Sequence, residues 1–144
     1  MSDEDPIRGY VVGPHHGVPG SGSEVKASGR STAGSLTAIE IVVDGQGPPR
    51  HTHTREDESI YLFTGALDVE CGGDRFEAVP GSFVFLPRNL AHTFQSVDGP
   101  ATGLLIVTPG GLDEYFAELH AVLSENGDRS EVAKVQARYG IFRS

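Results

Sequence analysis

The 144-residue sequence contains a single cysteine, Cys71, so no internal disulfide can form. Positive charge is scarce. Eleven Lys and Arg stand against twenty Asp and Glu, a formal net charge of −9. Such a chain repels phosphate backbones, and no nucleic-acid partner is expected. Long apolar runs are missing as well. The longest mostly apolar stretch, Gly103 to Val107, is far too short to span a bilayer, so no membrane partner is expected either. Residues Met1 to Pro6 are acidic, have no apolar core and read as a frayed terminus rather than a signal peptide. These shortages together point to a cytoplasmic protein.

What the sequence has in quantity is glycine, at 19 residues, with nine prolines. Hydrophobic residues make up 38% of the chain and charged residues 22%, a globular balance. The length suits one domain, long enough to bury a core without staples. Many turns between short strands would explain the glycine count. Tyr10 to Val12 is a short β-prone piece, and Gly13 to Gly22 reads as a loop. Strands are predicted over Glu24–Ser28 and Gly34–Val43, followed by a turn over Asp44–Pro49. Further strands are predicted over Glu58–Thr64, Ala66–Cys71, Arg75–Val79, Ser82–Leu86, Ala91–Val97 and Ala101–Thr108. Strands at this regular spacing suggest an all-β sandwich or barrel, with its core at about 34–108.

The texture changes after Pro109-Gly-Gly111. Leu112, Tyr115, Phe116, Leu119, Val122 and Leu123 recur at helical spacing, with Asp113 and Glu114 suited to a helix N-terminus. A second short helix runs to about Arg138, with Ser130 as its expected cap and Glu131 in its first turn. The helical segment spans about 112–138.

The most informative stretch is His51-Thr-His53-Thr-Arg-Glu-Asp-Glu58. On a strand, residues two apart share a face, so His51 and His53 project together and can converge on one ion. Neutral imidazole is the commonest side-chain ligand of the later transition metals. Glu58 can add a hard oxygen, and His92, just after the turn Pro87–Leu90, is the best candidate for a fourth ligand. By strand alternation Ile60 and Leu62 share the face of Glu58, and Phe94 and Ser96 share that of His92. These four are the expected substrate-pocket residues, with Ser96 able to hydrogen-bond a substrate oxygen. Other polar features have plain explanations. Arg55, Glu56 and Asp57 read as a solvated turn, although Glu56 could compete with Glu58 as a ligand. His15 and His16 read as loop residues, Cys71 as structural, Arg88 as a surface turn charge, and His120 as a packing or surface residue.

The spacing resembles the cupin superfamily. Its first motif runs Gly, five residues, His-x-His, three or four residues, Glu, six residues, Gly. It is matched here by Gly45, His51, His53, Glu58 and Gly65. The second runs Gly, five residues, Pro-x-Gly, two residues, His, three residues, Asn. Gly81, Pro87 and His92 match it, while Asn89 replaces a glycine and Ser96 replaces the final asparagine. Asn tolerates positive φ, so the turn can survive. Eight matches, each with a chance of roughly one in twenty or less from composition, do not arise by accident. The stretches Val25–Ser28, Pro109–Phe116 and Ala137–Gly140 are similar to quercetin 2,3-dioxygenase-like single-domain cupins.

The resemblance implies a jelly-roll double-stranded β-barrel with one or two C-terminal helices, as a single cupin domain over 1–144. It implies one divalent metal ion (Fe, Mn, Ni, Co, Cu or Zn) on His51, His53, Glu58 and His92, with Glu58 also catalytic. The implied activity is a metal-dependent dioxygenase, an oxidoreductase acting on a small aromatic or enolic compound. A non-redox cyclase or isomerase of secondary metabolism, or a non-catalytic small-molecule-binding cupin, are the alternatives. A small-molecule substrate and a homodimer paired through edge strands are the expected partners.

Overall fold

The computed structural model describes residues 7–20 and 23–144; Met1–Pro6 and the end of the predicted Gly13–Gly22 loop lie outside the described residues. Eleven strands and two helices follow in order. They are β1 (Val18–Gly20), β2 (Ser23–Ala27), β3 (Thr37–Val43), β4 (His51–His53), β5 (Asp57–Thr64), β6 (Leu67–Cys71), β7 (Asp74–Ala78), β8 (Phe83–Leu86), β9 (His92–Ser96) and β10 (Ala101–Thr108). Helices α1 (Leu112–Ser124) and α2 (Arg129–Arg138) and strand β11 (Ile141–Arg143) complete the chain. No helix among the described residues is long and apolar enough to cross a membrane.

The strands form two antiparallel sheets. One has the order β1-β2-β3-β10-β5-β8, the other β11-β4-β9-β6-β7. Without β1, β2 and β11, these are two four-stranded sheets built from the eight strands β3 to β10, the jelly-roll plan. Alternation explains why the sheets face one another. In β10, Ala101, Gly103, Leu105 and Val107 are buried and the residues between them are not. Ile60 and Leu62 of β5 and Leu67 and Val69 of β6 fill the interior with Leu86, Phe94 and Val107.

Turn chemistry carries the chain from one sheet to the other. Gly65, between β5 and β6, has φ of 76°. A Cβ added there would stand 2.5 Å from the Pro100 carbonyl oxygen, so only glycine fits. Asn89 has φ of 70°, so asparagine does adopt the left-handed conformation in the turn before β9. Its backbone N–H donates to the carbonyl of His53 at 2.8 Å, tying that turn to β4.

Helix α1 begins without a side-chain cap at Gly111. Instead the carboxylate of Asp113 accepts hydrogen bonds from the Gly29 N–H at 3.1 Å and from the hydroxyl of the buried Thr37 at 2.9 Å, fastening the helix to β3. Leu112 and Tyr115 of α1 and Val135 of α2 join the same core as the barrel strands, as does Ile141 of β11.

Four predicted elements differ. Tyr10–Val12 is not a strand, and the β1 strand falls instead within the segment read as loop. Val18–Gly20 has no apolar alternation of its own and is extended because it pairs with β2. The cap of α2 is Asp128, whose carboxylate accepts from the N–H of Glu131 at 2.9 Å, and Ser130 lies inside the helix. Leu123 lies mostly outside the α1 stripe, at 56% exposure. Strand β11 follows the last predicted helix and pairs with β4, setting Ile141 opposite His53.

Candidate metal centre

Three strands from both sheets supply the cluster. His51 and His53 stand on β4, Glu58 near the start of β5, and His92 at the start of β9. His51 is directly opposite His92 in the ladder, the one residue pair that joins β4 to β9. Glu58 reaches across from the facing sheet because alternation turns it inward with Ile60 and Leu62. One ligand-type atom from each of the four residues lies within 4.8 Å of all the others. His53, Glu58 and His92 are buried, and only His51 keeps partial contact with solvent.

The nitrogen geometry is specific. His51 Nε2 and His53 Nε2 face each other at 2.9 Å. Glu58 Oε1 lies 3.1 Å from His53 Nε2, and Glu58 Oε2 lies 3.3 Å from His92 Nε2. That last contact lacks hydrogen-bond geometry, so both His92 ring nitrogens are buried without a partner. Ligands held about 2.0–2.2 Å from one transition-metal ion would lie about 3 Å apart when they are neighbours in the coordination sphere. The observed spacings match that arrangement, and the donor set of three imidazoles and one carboxylate fits a divalent transition metal.

Outside the donors sits a second ring of contacts. The Nδ1–H of His51 donates to the Pro49 carbonyl at 2.8 Å, which leaves a lone pair on Nε2. Glu56 is 8% exposed, and its Oε2 lies 3.9 Å from the Nδ1 of His53; both atoms are buried and otherwise unpartnered. At that separation the contact is an ion pair rather than a hydrogen bond.

Titration follows the same layout. Burial pushes the His51 imidazole down to about 4, helped by the neighbouring His92. Burial opposes protonation of His53 too, but the Glu56 and Glu58 carboxylates outweigh it and lift His53 to about 9. Burial alone would raise Glu58, yet His53 and His92 hold it well below the usual carboxylate range. Without metal, His53 therefore holds a proton at neutral pH beside the ionised Glu58.

The four candidate ligands are thus brought together. The pocket residues divide. Ile60 and Phe94 each sit one pleat from a ligand, about 7 Å along the strand, on the buried face. Leu62 and Ser96 lie a further pleat away, about 13 Å from Glu58 and His92 along their strands. Ser96 accepts a hydrogen bond from the Gly45 N–H at 2.6 Å and so fastens the 44–49 turn. Leu62 is core packing, at 1% exposure.

The Arg55–Asp57 turn is also corrected. Its Glu56 is buried beside His53, and Asp57 begins β5, where its carboxylate holds the Arg88 guanidinium at 3.1 and 3.2 Å. Arg88 is accordingly a surface turn charge. Arg55 donates to the Arg138 carbonyl at 2.9 Å, and the Thr54 hydroxyl to that of Gly140 at 2.8 Å. Cys71, read as structural, stands opposite His92 in the β6–β9 ladder and borders the cluster; burial and Asp74 push its thiol pKa up. Only a knowledge of strand pairing reveals that neighbour. His15, His16 and His120 are exposed.

Similarity to known proteins agrees with this architecture. The family model described as "Cupin domain" matches residues 38–108. The quercetin 2,3-dioxygenase of Bacillus subtilis (strain 168) is 29% identical over 109 residues, covering 74% of this chain and 31% of that protein. The chain therefore spans about a third of the length of that curated relative. Among solved structures, KdgF from Halomonas sp. aligns with a TM-score of 0.56 at 22% identity, covering 64% of this chain and 81% of that one. A Streptomyces PAC13 variant with uridine aligns at 0.52 and 15% identity, covering 63% and 72%. At such identities the likeness to both structures is one of fold.

Proposed function

For a chain that belongs to the cupin superfamily, we propose that His51, His53, Glu58 and His92 hold one divalent transition-metal ion and that the protein is a metal-dependent dioxygenase of a small aromatic or enolic compound. The observation that carries the metal assignment is the convergence of three buried or half-buried imidazoles and one carboxylate from two facing sheets, with the His92 nitrogens otherwise orphaned. Buried polar atoms without partners are costly, and an ion would satisfy the Nε2 atom that faces the cluster. The dioxygenase reading is supported by the similarity to the Bacillus subtilis enzyme.

An ion bound there would supply Lewis-acid polarisation of a substrate oxygen and a site for dioxygen. The chain's own residues do the rest. His51 keeps its Nε2 lone pair turned inward because its other nitrogen is engaged by Pro49. Glu58 stays ionised, so its carboxylate can accept the proton of an acidic enol: the substrate O–H bond breaks, the proton moves to a Glu58 oxygen, and the electron pair stays on the substrate oxygen. Ile60 and Phe94 keep the floor of the site apolar and exclude water.

The test is elemental analysis of natively purified protein, coupled to an oxygen-electrode screen of flavonols and β-diketones. The expected result is a redox-active metal with oxygen uptake matching turnover. Turnover that is equal in air and under anaerobic conditions would overturn the dioxygenase reading, and zinc with turnover but no uptake would assign a non-redox cyclase or isomerase.

A further inference from the structure

Strand β11 brings a positive charge to the candidate metal centre. Its residues pair with β4, setting Ile141 opposite His53, Phe142 opposite Thr52 and Arg143 opposite His51. Directly opposed residues in an antiparallel ladder point to the same side of the sheet. Ile141 and His53 are both buried, so that side is the interior. Arg143 therefore projects on the face that carries the ligands, its Cβ about 5 Å from that of His51. His51 is the one ligand with solvent contact, and Arg143 is exposed. The pair marks the edge at which the cluster opens to water.

Tyr115 of α1 ties this edge to the carboxylate of the cluster. Its hydroxyl accepts a hydrogen bond from the Gln136 side-chain amide at 3.4 Å. Its ring packs on that of Tyr139, just before β11, with 5.4 Å between centroids. Burial raises the pKa of this hydroxyl; the Gln136 bond and the Arg143 charge oppose the rise, and the Glu58 charge adds to it. Both charges are therefore close to one buried group.

Nearby carboxylates are engaged elsewhere. Glu118, one turn beyond Tyr115, pairs with Arg138 at 3.3 Å, and Asp57 pairs with Arg88 at 3.1 Å. Glu56 and Glu58 face the histidines of the cluster. Among the described residues Arg143 forms no ion pair. Glu56 and Glu58 would together balance a divalent ion, which leaves the Arg143 charge over at this edge. A guanidinium suits a planar carboxylate through its paired N–H donors. A chain of net charge −9 gathers no anions at long range, so an anionic group is held here by that local contact.

We propose that Arg143 binds a carboxylate group of the substrate, so that the compound acted on is a small enolic or phenolic acid rather than a neutral enol. The inference rests on the metal-centre reading above and adds the acid group to it. With its carboxylate on Arg143, such a compound has its enol end directed toward Glu58, the group that accepts its proton.

Anaerobic calorimetric titration of the metal-loaded protein at neutral pH tests this with two probes, catechol and protocatechuate, which is catechol bearing one carboxylate. The wild type is expected to bind protocatechuate at least about tenfold more tightly than catechol. Arg143→Met is expected to abolish that preference by weakening protocatechuate alone. Arg143→Lys is expected to keep part of it, since a point charge replaces the fork. Arg75→Met removes the same charge from β7, at the far edge of the same sheet, and is expected to keep the full preference. Metal content and Tm of the Arg143 variants are expected to match the wild type, because the side chain is exposed. Equal affinity of the wild type for both probes overturns the inference, as does a preference that survives in Arg143→Met or falls in Arg75→Met. Those outcomes leave the metal assignment standing. A wild type that holds no ion overturns the assignment and the inference together.

Discussion

Two buried atoms facing each other 3.9 Å apart, Glu56 Oε2 and His53 Nδ1, make the sharpest single-residue statement about the site. A carboxylate behind a ligating imidazole orients the ring and raises its basicity, and losing such a partner typically costs 10–100-fold in metal affinity. Glu56→Ala should therefore weaken metal binding by roughly 10- to 100-fold, with Glu56→Gln intermediate because its amide oxygen still faces Nδ1. His92→Ala, which removes a donor outright, should lower bound metal well below one ion per chain. Chelator-competition titration reads all three. Wild-type affinity in Glu56→Ala would assign that carboxylate to the turn alone, and unchanged metal content in His92→Ala would misplace the fourth ligand.

Among the elements, β11 and α2 offer the clearest tests. Ile141 is 2% exposed and lies opposite His53, so Ile141→Ala should cost about 2–5 kcal/mol by denaturant unfolding. Asp128→Ala should cost about 1 kcal/mol and Ser130→Ala close to nothing, since only Asp128 caps α2. The eight strands from β3 to β10 were nearly all legible from the sequence, because half-buried strands alternate and glycines punctuate them. His51, His53 and Glu58 were legible for the same reason, with His92 resting on motif spacing. Three features were not legible. Strand β11 is too short to show alternation and is extended only because β4 lies beside it. The burial of Glu56 depends on how the 54–56 turn is held by Arg138 and Gly140. The nearness of Cys71 to His92 depends on which strands pair. Each is a long-range contact, invisible to local pattern.

For the molecule as a whole, metal and protons compete for one cluster. His53 is raised from 6.5 to about 9 in the metal-free protein, so its protonated form contributes stability that is fully present below 6.5 and is lost as pH rises through about 9. Metal uptake must displace that proton. Apparent affinity should then rise with pH, by about tenfold per unit between the two values if one proton leaves, and level off above about 9. Calorimetry in two buffers of different ionisation enthalpy measures the released proton directly; affinity that does not change with pH would remove His53 from the ligand set. Bound metal should also raise Tm, by about 2.7 kcal/mol of added stability at a hundredfold excess over Kd, and a chelator should reverse it. The single residue pair joining β4 to β9 gives this linkage a mechanical meaning. In a chain with one cysteine, an ion gripping β4 and β9 of one sheet and β5 of the other would be a rivet through the sandwich, and it would also pin β4 to β9 where their ladder narrows to one residue pair.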